Sequence, residues 1–465
     1  MMNLFVVIKR ILQYTLSCVF VLFLGTPVLL TLTGCGGGQP PQTGLPTPSP
    51  AARVNSYVGS QGNSPSEVSP WTVTIDHTKN LYSYTNPNSG GSTVSGTFAP
   101  LTGGLMVLLN QNGYQNGLAL EVPGEAIILR PGDNTNAPVF AVHQSSCFAI
   151  SGNPVKFLFA NSPGLTGNTT INNYNVYEAF YGQIYVSTNS DGSSWQFNNQ
   201  TEYFNPDGKN VPLYASFPGY PSGFPATCSV VSNGSAKVTP NPAPLAYFYD
   251  VTPSESISIP TEYVISPAGF FFENQNYTNV LSSPGIGGNW TIPNISAWGV
   301  SEPSESITTS SLATLNYVGF LFEAAHNGNP PRTRLVGFGN GQKSGVMSGG
   351  TFPNENPTQT PIENMSITFG KQDPLNNGVY YLVKLSTPDD DPGGITSGCL
   401  SYGLSPSGTP TCINNAIATV GYPVTEGYFN GQYVIILSAV STITDNLGNT
   451  DNGTGNLEML VLFQQ

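Results

Sequence analysis

The sequence predicts an all-β protein in which antiparallel meanders form two sandwich-like or barrel-like domains behind a flexible tether. Glycine and proline together make up 92 of the 465 residues, and aromatic residues make up 11%. Turn-forming residues at this density, with enough aromatic side chains to fill a core, are typical of many short strands joined by tight turns. The exported part of the chain has no segment with the 3.6-residue apolar period of an amphipathic helix.

The first 34 residues contain the parts of a secretory signal. Lys9 and Arg10 come before an apolar run over residues 11–32. A run of about 22 residues is also long enough to cross a bilayer as a helix, so the residues at its end decide between the two interpretations. The run ends in the motif Leu32-Thr33-Gly34-Cys35.

This motif resembles the bacterial lipobox, in which one apolar residue and two small residues precede an obligatory cysteine. The resemblance covers only the signal. It implies a diacylglyceryl group on the Cys35 sulfur, cleavage before Cys35 and acylation of the new amine. Two or more acyl chains anchor a protein stably to a membrane. We therefore expect residues 1–34 to be removed and the mature chain to be held to a membrane by lipid, with an uncleaved transmembrane helix as the alternative.

Residues 35–54 are expected to form a flexible tether, because glycine, proline, serine and threonine predominate there and apolar residues are few. Such a tether lets a folded body stand away from the bilayer. Gly36, rather than an aspartate, follows the cysteine. This favours the outer membrane in a host with two membranes, on either its periplasmic or its surface side.

The charge of the chain argues against nucleic acid as a partner. Loss of the signal leaves 11 cations and 26 acids, a net charge of −15. An acidic body repels nucleic acid and anionic lipid surfaces. Charged residues are only 8% of the chain, against roughly 25% in ordinary soluble domains. Hydrogen-bonding residues such as asparagine, serine, threonine and tyrosine must therefore solvate the surface.

The length of the exported chain suggests two domains, which we place at 55–250 and 251–465. The segment Trp71–Ile75 alternates between apolar and polar residues, as a half-buried strand does. Further strand-like segments follow at a spacing of about 10 residues, which is typical of an antiparallel meander. The meander must close into a barrel or pack as a sandwich to hide its edges.

An internal repeat occurs at an offset of 50 residues. The motif at Pro253–Ile257 recurs at Pro303–Ile307, and Gly269–Glu273 recurs with one difference at Gly319–Glu323. We interpret the repeat as a duplicated β-unit inside the C-terminal domain, with a propeller blade as the alternative.

The repeat also predicts which side chains share an environment. Side chains alternate between the faces of a strand, so Phe270 should share a face with Phe272, and Phe320 with Phe322. The glutamate that ends each copy should lie on the opposite face or at the strand end. It should reach solvent or a partner, because an unpaired carboxylate does not tolerate burial.

The exported chain keeps four cysteines besides Cys35, which are Cys147, Cys228, Cys399 and Cys412. An even number in an exported protein indicates disulfides. Proximity in sequence favours Cys399–Cys412 and Cys147–Cys228 among the three possible pairings. Four free thiols are the alternative.

No motif for catalysis, a cofactor or a metal stands out, so we expect none of the three. His77 and His143 lack the spacing of zinc ligands, and we interpret both as structural. The acidic run Asp389–Asp391 lacks the spacing of a calcium loop, and we interpret it as a solvated turn. The segment Asp445–Asp451 is a weaker calcium candidate for the same reason. A serine nucleophile elbow or a phosphate-binding glycine loop is also absent from the sequence.

The body is similar to uncharacterised β-rich lipoproteins of bacteria, and this resemblance implies no activity. The leading hypothesis is a non-enzymatic binding or scaffold protein with a carbohydrate or a surface protein as its partner. The alternative is an exported hydrolase or binding protein that acts on polysaccharide. A hydrolase needs two facing carboxylates. A sugar platform could use one of the four tryptophans, although tryptophans of β proteins lie more often in the core. These are Trp71, Trp195, Trp290 and Trp298.

Overall fold

The structure is a computed structural model. It describes residues 45, 53–61, 70–87, 90–133, 135–161, 170–171, 174–175, 181–204, 211–215, 223–231, 236–241, 245–247, 256–258, 261–275, 280–283, 288–291, 295–303, 308–323, 332–342, 346–357, 359–373, 376–386, 402–404, 410–412, 416–421, 433–440 and 457–465. All of them belong to one compact unit, Gln39–Gln465. The predicted lipid site Cys35, as well as Cys399 and both candidate calcium segments, lies outside the described residues.

Barrel 1 is a closed meander of eight antiparallel strands. Its strands are β1 (Val54–Gln61), β2 (Trp71–Asp76), β3 (Leu81–Asn86), β4 (Ser92–Pro100), β5 (Leu105–Leu109), β6 (Gln115–Val122), β7 (Ala126–Pro131) and β8 (Val139–Val142). Each strand pairs with the next along the chain, and β8 closes the barrel on β1. The alternation over residues 71–75 is confirmed, since Trp71, Val73 and Ile75 are buried and the threonines between them are half-buried.

Barrel 2 is a second antiparallel meander. Its ring consists of β9 (Val155–Asn161), β12 (Tyr181–Thr188), β13 (Ser194–Phe204), β15 (Phe224–Val230), β16 (Ala236–Pro240), β19 (Thr261–Ile265), β20 (Phe270–Gln275) and β23 (Ile295–Ser301). Pairing of β23 with β9 closes the ring. The connections contain β10 (Thr170–Ile171), β11 (Tyr174–Asn175), β14 (Val211–Ala215), β17 (Leu245–Tyr247), β18 (Ser256–Ser258), β21 (Val280–Ser283) and β22 (Gly288–Thr291).

Barrel 3 follows the same plan. Its ring consists of β24 (Tyr317–Glu323), β25 (Arg332–Gln342), β26 (Val346–Thr351), β27 (Met365–Thr368), β29 (Val379–Ser386), β32 (Ala416–Gly421), β33 (Val434–Val440) and β34 (Leu457–Gln464). Pairing of β34 with β24 closes the ring. The accessory elements are the strands β28 (Lys371–Gln372), β30 (Tyr402–Leu404) and β31 (Pro410–Cys412), together with the helix α1 (Thr309–Ala313).

The prediction of an all-β fold built from antiparallel meanders is therefore confirmed, and closure into barrels hides the strand edges. The expected boundary between residues 250 and 251 lies inside barrel 2, because β16 and β19 pair through Val238 and Tyr263 across it. The structure thus has three barrels where two domains were expected. The boundary was misplaced because the connection from β16 to β19 is proline-rich, so its sequence resembles a linker between domains.

Each barrel interior is filled by its own side chains. Barrel 1 encloses Tyr57, Trp71, Tyr82, Tyr84 and Phe98, together with smaller residues. Barrel 2 encloses Phe157, Phe159, Trp195, Phe197, Tyr263 and Phe271. Barrel 3 encloses Tyr317, Leu321, Phe338, Tyr380 and Leu460. Full burial of an aliphatic or aromatic side chain contributes about 1.5–3 kcal/mol, so these interiors are structural cores.

A fourth cluster, the shared core, forms where the outer surfaces of the three barrels meet. Barrel 1 contributes Leu120, Ile128 and Phe140, barrel 2 contributes Phe270, Phe272 and Trp298, and barrel 3 contributes Phe320, Phe322, Val461 and Phe463. Strands such as β20 and β24 are consequently buried on both faces.

The placement that the repeat predicts for the two phenylalanine pairs and for Glu273 is confirmed, and the side chain of Glu323 lies outside the described residues. Phe270 and Phe272 enter the shared core together, as do Phe320 and Phe322. Glu273 lies on the other face, buried, and accepts a hydrogen bond from the Tyr263 hydroxyl at 3.1 Å. The two copies do not share one domain, however, since β20 is the seventh strand of barrel 2 and β24 is the first of barrel 3. Both strands pack one face on the same shared core, which accounts for their similar sequences.

The strand directions define two faces of the body. The chain enters barrel 1 at Val54, whose ladder partner is Asp76 beside the turn 77–80, and we call this side the tether face. Glu125, in the β6–β7 turn of this side, accepts a hydrogen bond from the Ala268 N–H at 3.1 Å, so the β19–β20 turn of barrel 2 lies there too. Barrel 3 joins the same side, because the Asn377 N–H donates to Glu302 at 2.8 Å.

Candidate functional site

The side of the body away from the tether, which we call the opposite face, carries the long connections of barrel 2. These four connections are 162–180, 205–223, 241–260 and 276–294, each of 19 or 20 residues. The barrel 2 turns on the tether face are 189–193, 231–235 and 266–269, of four or five residues. The strand pairing shows that the long connections leave the same end of the barrel. Tyr181 lies opposite both Tyr203 and Ala160, and these residues adjoin the connections 162–180 and 205–223.

Each long connection contains regular structure of its own. Strands β10 and β11 pair with each other, as do β17 with β18 and β21 with β22, and β14 extends the ring strand β13. We call these elements the extension hairpins. They belong to the connections at the end of barrel 2 that lies away from the tether.

The composition of these connections is suited to recognition. The four connections together contain seven tyrosines and eleven asparagines but only five charged residues. Tyrosine offers a large, stiff contact area at low entropic cost, and asparagine, serine and glycine offer adaptable hydrogen bonds, as in antibody binding loops.

A buried polar cluster lies at the tether end of barrel 1. The Glu121 carboxylate is 1% exposed and accepts hydrogen bonds from the Tyr57 hydroxyl and, at 3.5 Å, from the Asn55 amide. Its second oxygen lies 2.9 Å from Nε2 of His77, which is half-exposed. The Gly124 N–H donates to the Tyr57 hydroxyl at 2.9 Å. The cluster therefore ties the β6–β7 turn to the barrel wall.

The environment of this cluster shifts several pKa values. The hydrogen bond to Glu121 raises the pKa of His77 above its ordinary value. Burial raises the pKa of Tyr57 well above its ordinary value, and the charge of Glu121 raises it further. Burial lowers the pKa of His143, the neighbouring histidine. Burial raises the pKa of Glu125 to about 8, although the hydrogen bonds that Glu125 forms with Ala268 and Ser266 act to lower it.

This cluster is not arranged for glycosidic chemistry. Its carboxylates, Glu121 and Glu125, are 1% and 4% exposed, and both are engaged by donors of the chain itself. A general acid must reach the oxygen of the leaving group, and burial at this level prevents such contact. The cluster was not apparent in the sequence, because its members are far apart in the chain and match no local motif.

The structure places three of the tryptophans in cores. Trp71, Trp195 and Trp298 are at most 2% exposed, so none of them offers a platform for a sugar. The side chain of Trp290 lies outside the described residues. His77 contacts Glu121 of the buried polar cluster, and Nδ1 of His143 lies within hydrogen-bonding distance of the Ser56 carbonyl oxygen.

Cys147 and Cys228 form a disulfide, as predicted, with Cα atoms 5.7 Å apart. The bond closes the tether end of barrel 2, where Cys147 also packs against the barrel interior. Cys412 ends β31, but its predicted partner is not described, so the Cys399–Cys412 pairing stays a prediction. Among the described residues, no three acidic, histidine or cysteine side chains gather as metal ligands.

Comparisons with known proteins do not assign the chain to a family. No protein-family model matches it, and no curated protein matches it either. A solved structure of the vaccine antigen transferrin-binding protein B from Haemophilus parasuis Hp5, a tryptophan-to-alanine mutant, is 11% identical. That match covers 90% of this chain and 78% of the other, with a TM-score of 0.23.

A protein of unknown function from Nostoc punctiforme PCC 73102, in the family DUF3598, is 8% identical to the chain. It matches over 69% of this chain and 99% of its own, with a TM-score of 0.19. Similarities at these scores carry no weight for fold or function. In the part of the chain that the structure describes, no helix has the length and apolar character needed to cross a bilayer.

Proposed function

We propose that the protein is an exported, lipid-anchored bacterial protein that binds a partner through its opposite face and performs no chemistry. The single observation that carries this proposal is the placement of the extension hairpins. All four long connections of barrel 2 leave one end of the barrel, whereas the other end has only tight turns. The barrels, with their filled interiors, then act as a rigid scaffold that positions a recognition surface.

The anchor is supported by the lipobox ending in Cys35 and by the tether that follows it. Lipid at Cys35 holds the chain in the cell envelope, and we propose the outer membrane as its location. We infer the partner from the sequence of the four long connections of barrel 2, which have few charged residues and many tyrosine and asparagine residues. These features fit a neutral polysaccharide or a protein surface that is recognised by stacking and hydrogen bonds rather than by ion pairs.

Site-specific photocrosslinking in intact cells tests the binding role on the full lipidated chain. A photoreactive residue replaces Thr170 in β10 or Asn289 in β22, and matched controls replace Lys79 or Ser193 in turns of the tether face. We expect a discrete adduct from the opposite-face positions and none from the controls. Equal adducts from both sides, or none from either, would overturn the proposed binding face. Polysaccharide cleavage by the purified protein would overturn the non-enzymatic role.

A further inference from the structure

Leu45, in the middle of the predicted tether, contacts the body. This side chain is partly buried and packs against the aromatic interior of barrel 2. Its position is close to the β19–β20 turn, since a Cβ atom added to Gly269 would lie 3.4 Å from Leu45 Cδ1. Leu45 therefore covers the tether end of barrel 2, the end with the tight turns.

Arg53, near the end of the predicted tether, contacts the same side of the body. The Arg53 carbonyl accepts a hydrogen bond from the His77 N–H at 2.8 Å, next to the start of β1. The β6–β7 turn of barrel 1 is joined there to the β19–β20 turn of barrel 2 through Glu125 and Ala268. Both ends of the segment 45–53 are thus fixed on the tether face.

We infer that Leu45 fastens the tether to barrel 2 and thereby turns the tether face toward the membrane and the extension hairpins away from it. This inference rests on the proposed lipid anchor at Cys35. Only ten residues separate Cys35 from Leu45, and a chain of that length spans at most about 35 Å. Without the Leu45 contact, 18 residues would separate Cys35 from Arg53, and they would reach about 60 Å.

The chemistry of the contact is simple. Leu45 is an apolar residue in a tether that otherwise has few of them, and packing its side chain against an aromatic interior is favourable because it removes apolar surface from water. The contact therefore favours the attached state of the tether. The body then keeps a preferred orientation relative to the membrane.

Energy transfer to a lipid acceptor tests the orientation on the purified lipidated protein in vesicles. A donor dye is placed at Lys79→Cys, in the tether-face turn of barrel 1, or at Asn112→Cys, in the exposed turn at the other end of the same barrel. We expect clearly greater transfer from position 79 than from position 112. The variant Leu45→Asp should reduce the difference, and Thr43→Asp, which adds the same charge nearby, should keep it at the level of the parent protein.

Each outcome has a definite meaning. Equal transfer from the two positions in the parent protein, or a difference of the same size in Leu45→Asp, would overturn the inference. Failure of the protein to associate with vesicles would instead overturn the proposed anchor. The contact itself is measured in detergent, where Leu45→Asp should lower the midpoint of thermal unfolding and Thr43→Asp should not. No change in either variant would show that Leu45 contributes no attachment.

Discussion

Arg130 of barrel 1 and Glu355 of barrel 3 form a bidentate ion pair on the opposite face. The guanidinium is buried and donates to both carboxylate oxygens, one of them at 2.8 Å. Asn354 and Glu355 both have positive φ angles, of 50° and 53°. Such angles cost a residue other than glycine on the order of 1–3 kcal/mol. The turn therefore adopts a strained backbone while it delivers the carboxylate to Arg130.

Loss of this ion pair should destabilise the protein strongly. The variant Glu355→Gln leaves the Arg130 charge buried without its counter-ion, which we expect to lower the free energy of unfolding by about 3 kcal/mol. Urea unfolding measures the change. The control is Lys237→Gln, which breaks the pair between Lys237 and Glu262, both about one-third exposed. That variant should lose less than about 1 kcal/mol, and an equal loss in the two variants would contradict a special role for the buried pair.

The stability of the junction between barrels 1 and 2 should depend on pH through Glu125. Its pKa is about 8 in the folded protein and 4.5 in its ordinary environment. The folded state thus binds the proton more tightly, so the contribution of Glu125 to stability is full below pH 4.5 and falls as the pH rises to about 8. Chemical unfolding at several pH values should show this fall in the parent protein. The fall should be smaller in Glu125→Gln, which keeps an acceptor for the Ala268 N–H, and parallel profiles would contradict the assignment.

The two histidines near Glu121 should have pKa values on opposite sides of the ordinary value of 6.5, with His77 above it and His143 below it. The pKa of His77 is raised by its hydrogen bond to Glu121, and the pKa of His143 is lowered by burial. Stability from His77 is present below pH 6.5 and is lost as the pH rises through its folded pKa. NMR titration should show the pKa of His77 falling toward 6.5 in Glu121→Gln, while that of His143 stays low. If the pKa of His77 is the same in Glu121→Gln as in the parent protein, Glu121 is not the hydrogen-bond partner of His77.

The exported chain should contain no reduced pair among its four remaining cysteines. Peptide mapping without reduction should recover Cys147 linked to Cys228 and Cys399 linked to Cys412. The first bond joins positions 81 residues apart, and closing a loop of that size stabilises by roughly 4.5 kcal/mol in the chain-entropy model. The second closes a shorter loop and should contribute about 3 kcal/mol. Free thiols at positions 399 and 412 would contradict the second pairing.

Local pattern was sufficient to predict the class of the fold but not the number of barrels. The alternation from Trp71 to Ile75 is a local property, and it correctly indicates a half-buried strand. In β20, by contrast, Phe270, Phe271 and Phe272 are all buried, because one face fills barrel 2 and the other packs in the shared core. An uninterrupted apolar run of this kind does not reveal what covers each face.

The candidate site was even less accessible from the sequence. No local pattern marks the extension hairpins as a group, and their common location follows from ladder pairs distant in the chain, such as Val300 with Leu158. The Tyr57–Glu121 contact likewise joins residues 64 positions apart. Only the disulfide between Cys147 and Cys228 was predictable, because the covalent chemistry of cysteine limits the possible partners to three pairings.

Metabolic labelling with palmitate tests the central claim, attachment by lipid at Cys35, most directly. In the parent protein the label should enter the mature chain. In Cys35→Ser we expect no label and an unprocessed precursor, because the acyl groups require the Cys35 sulfur and the amine released beside it. Cys18→Ser, a substitution within the signal itself, is the matched control and should be labelled and processed normally. Labelling of Cys35→Ser at the level of the parent would contradict the account.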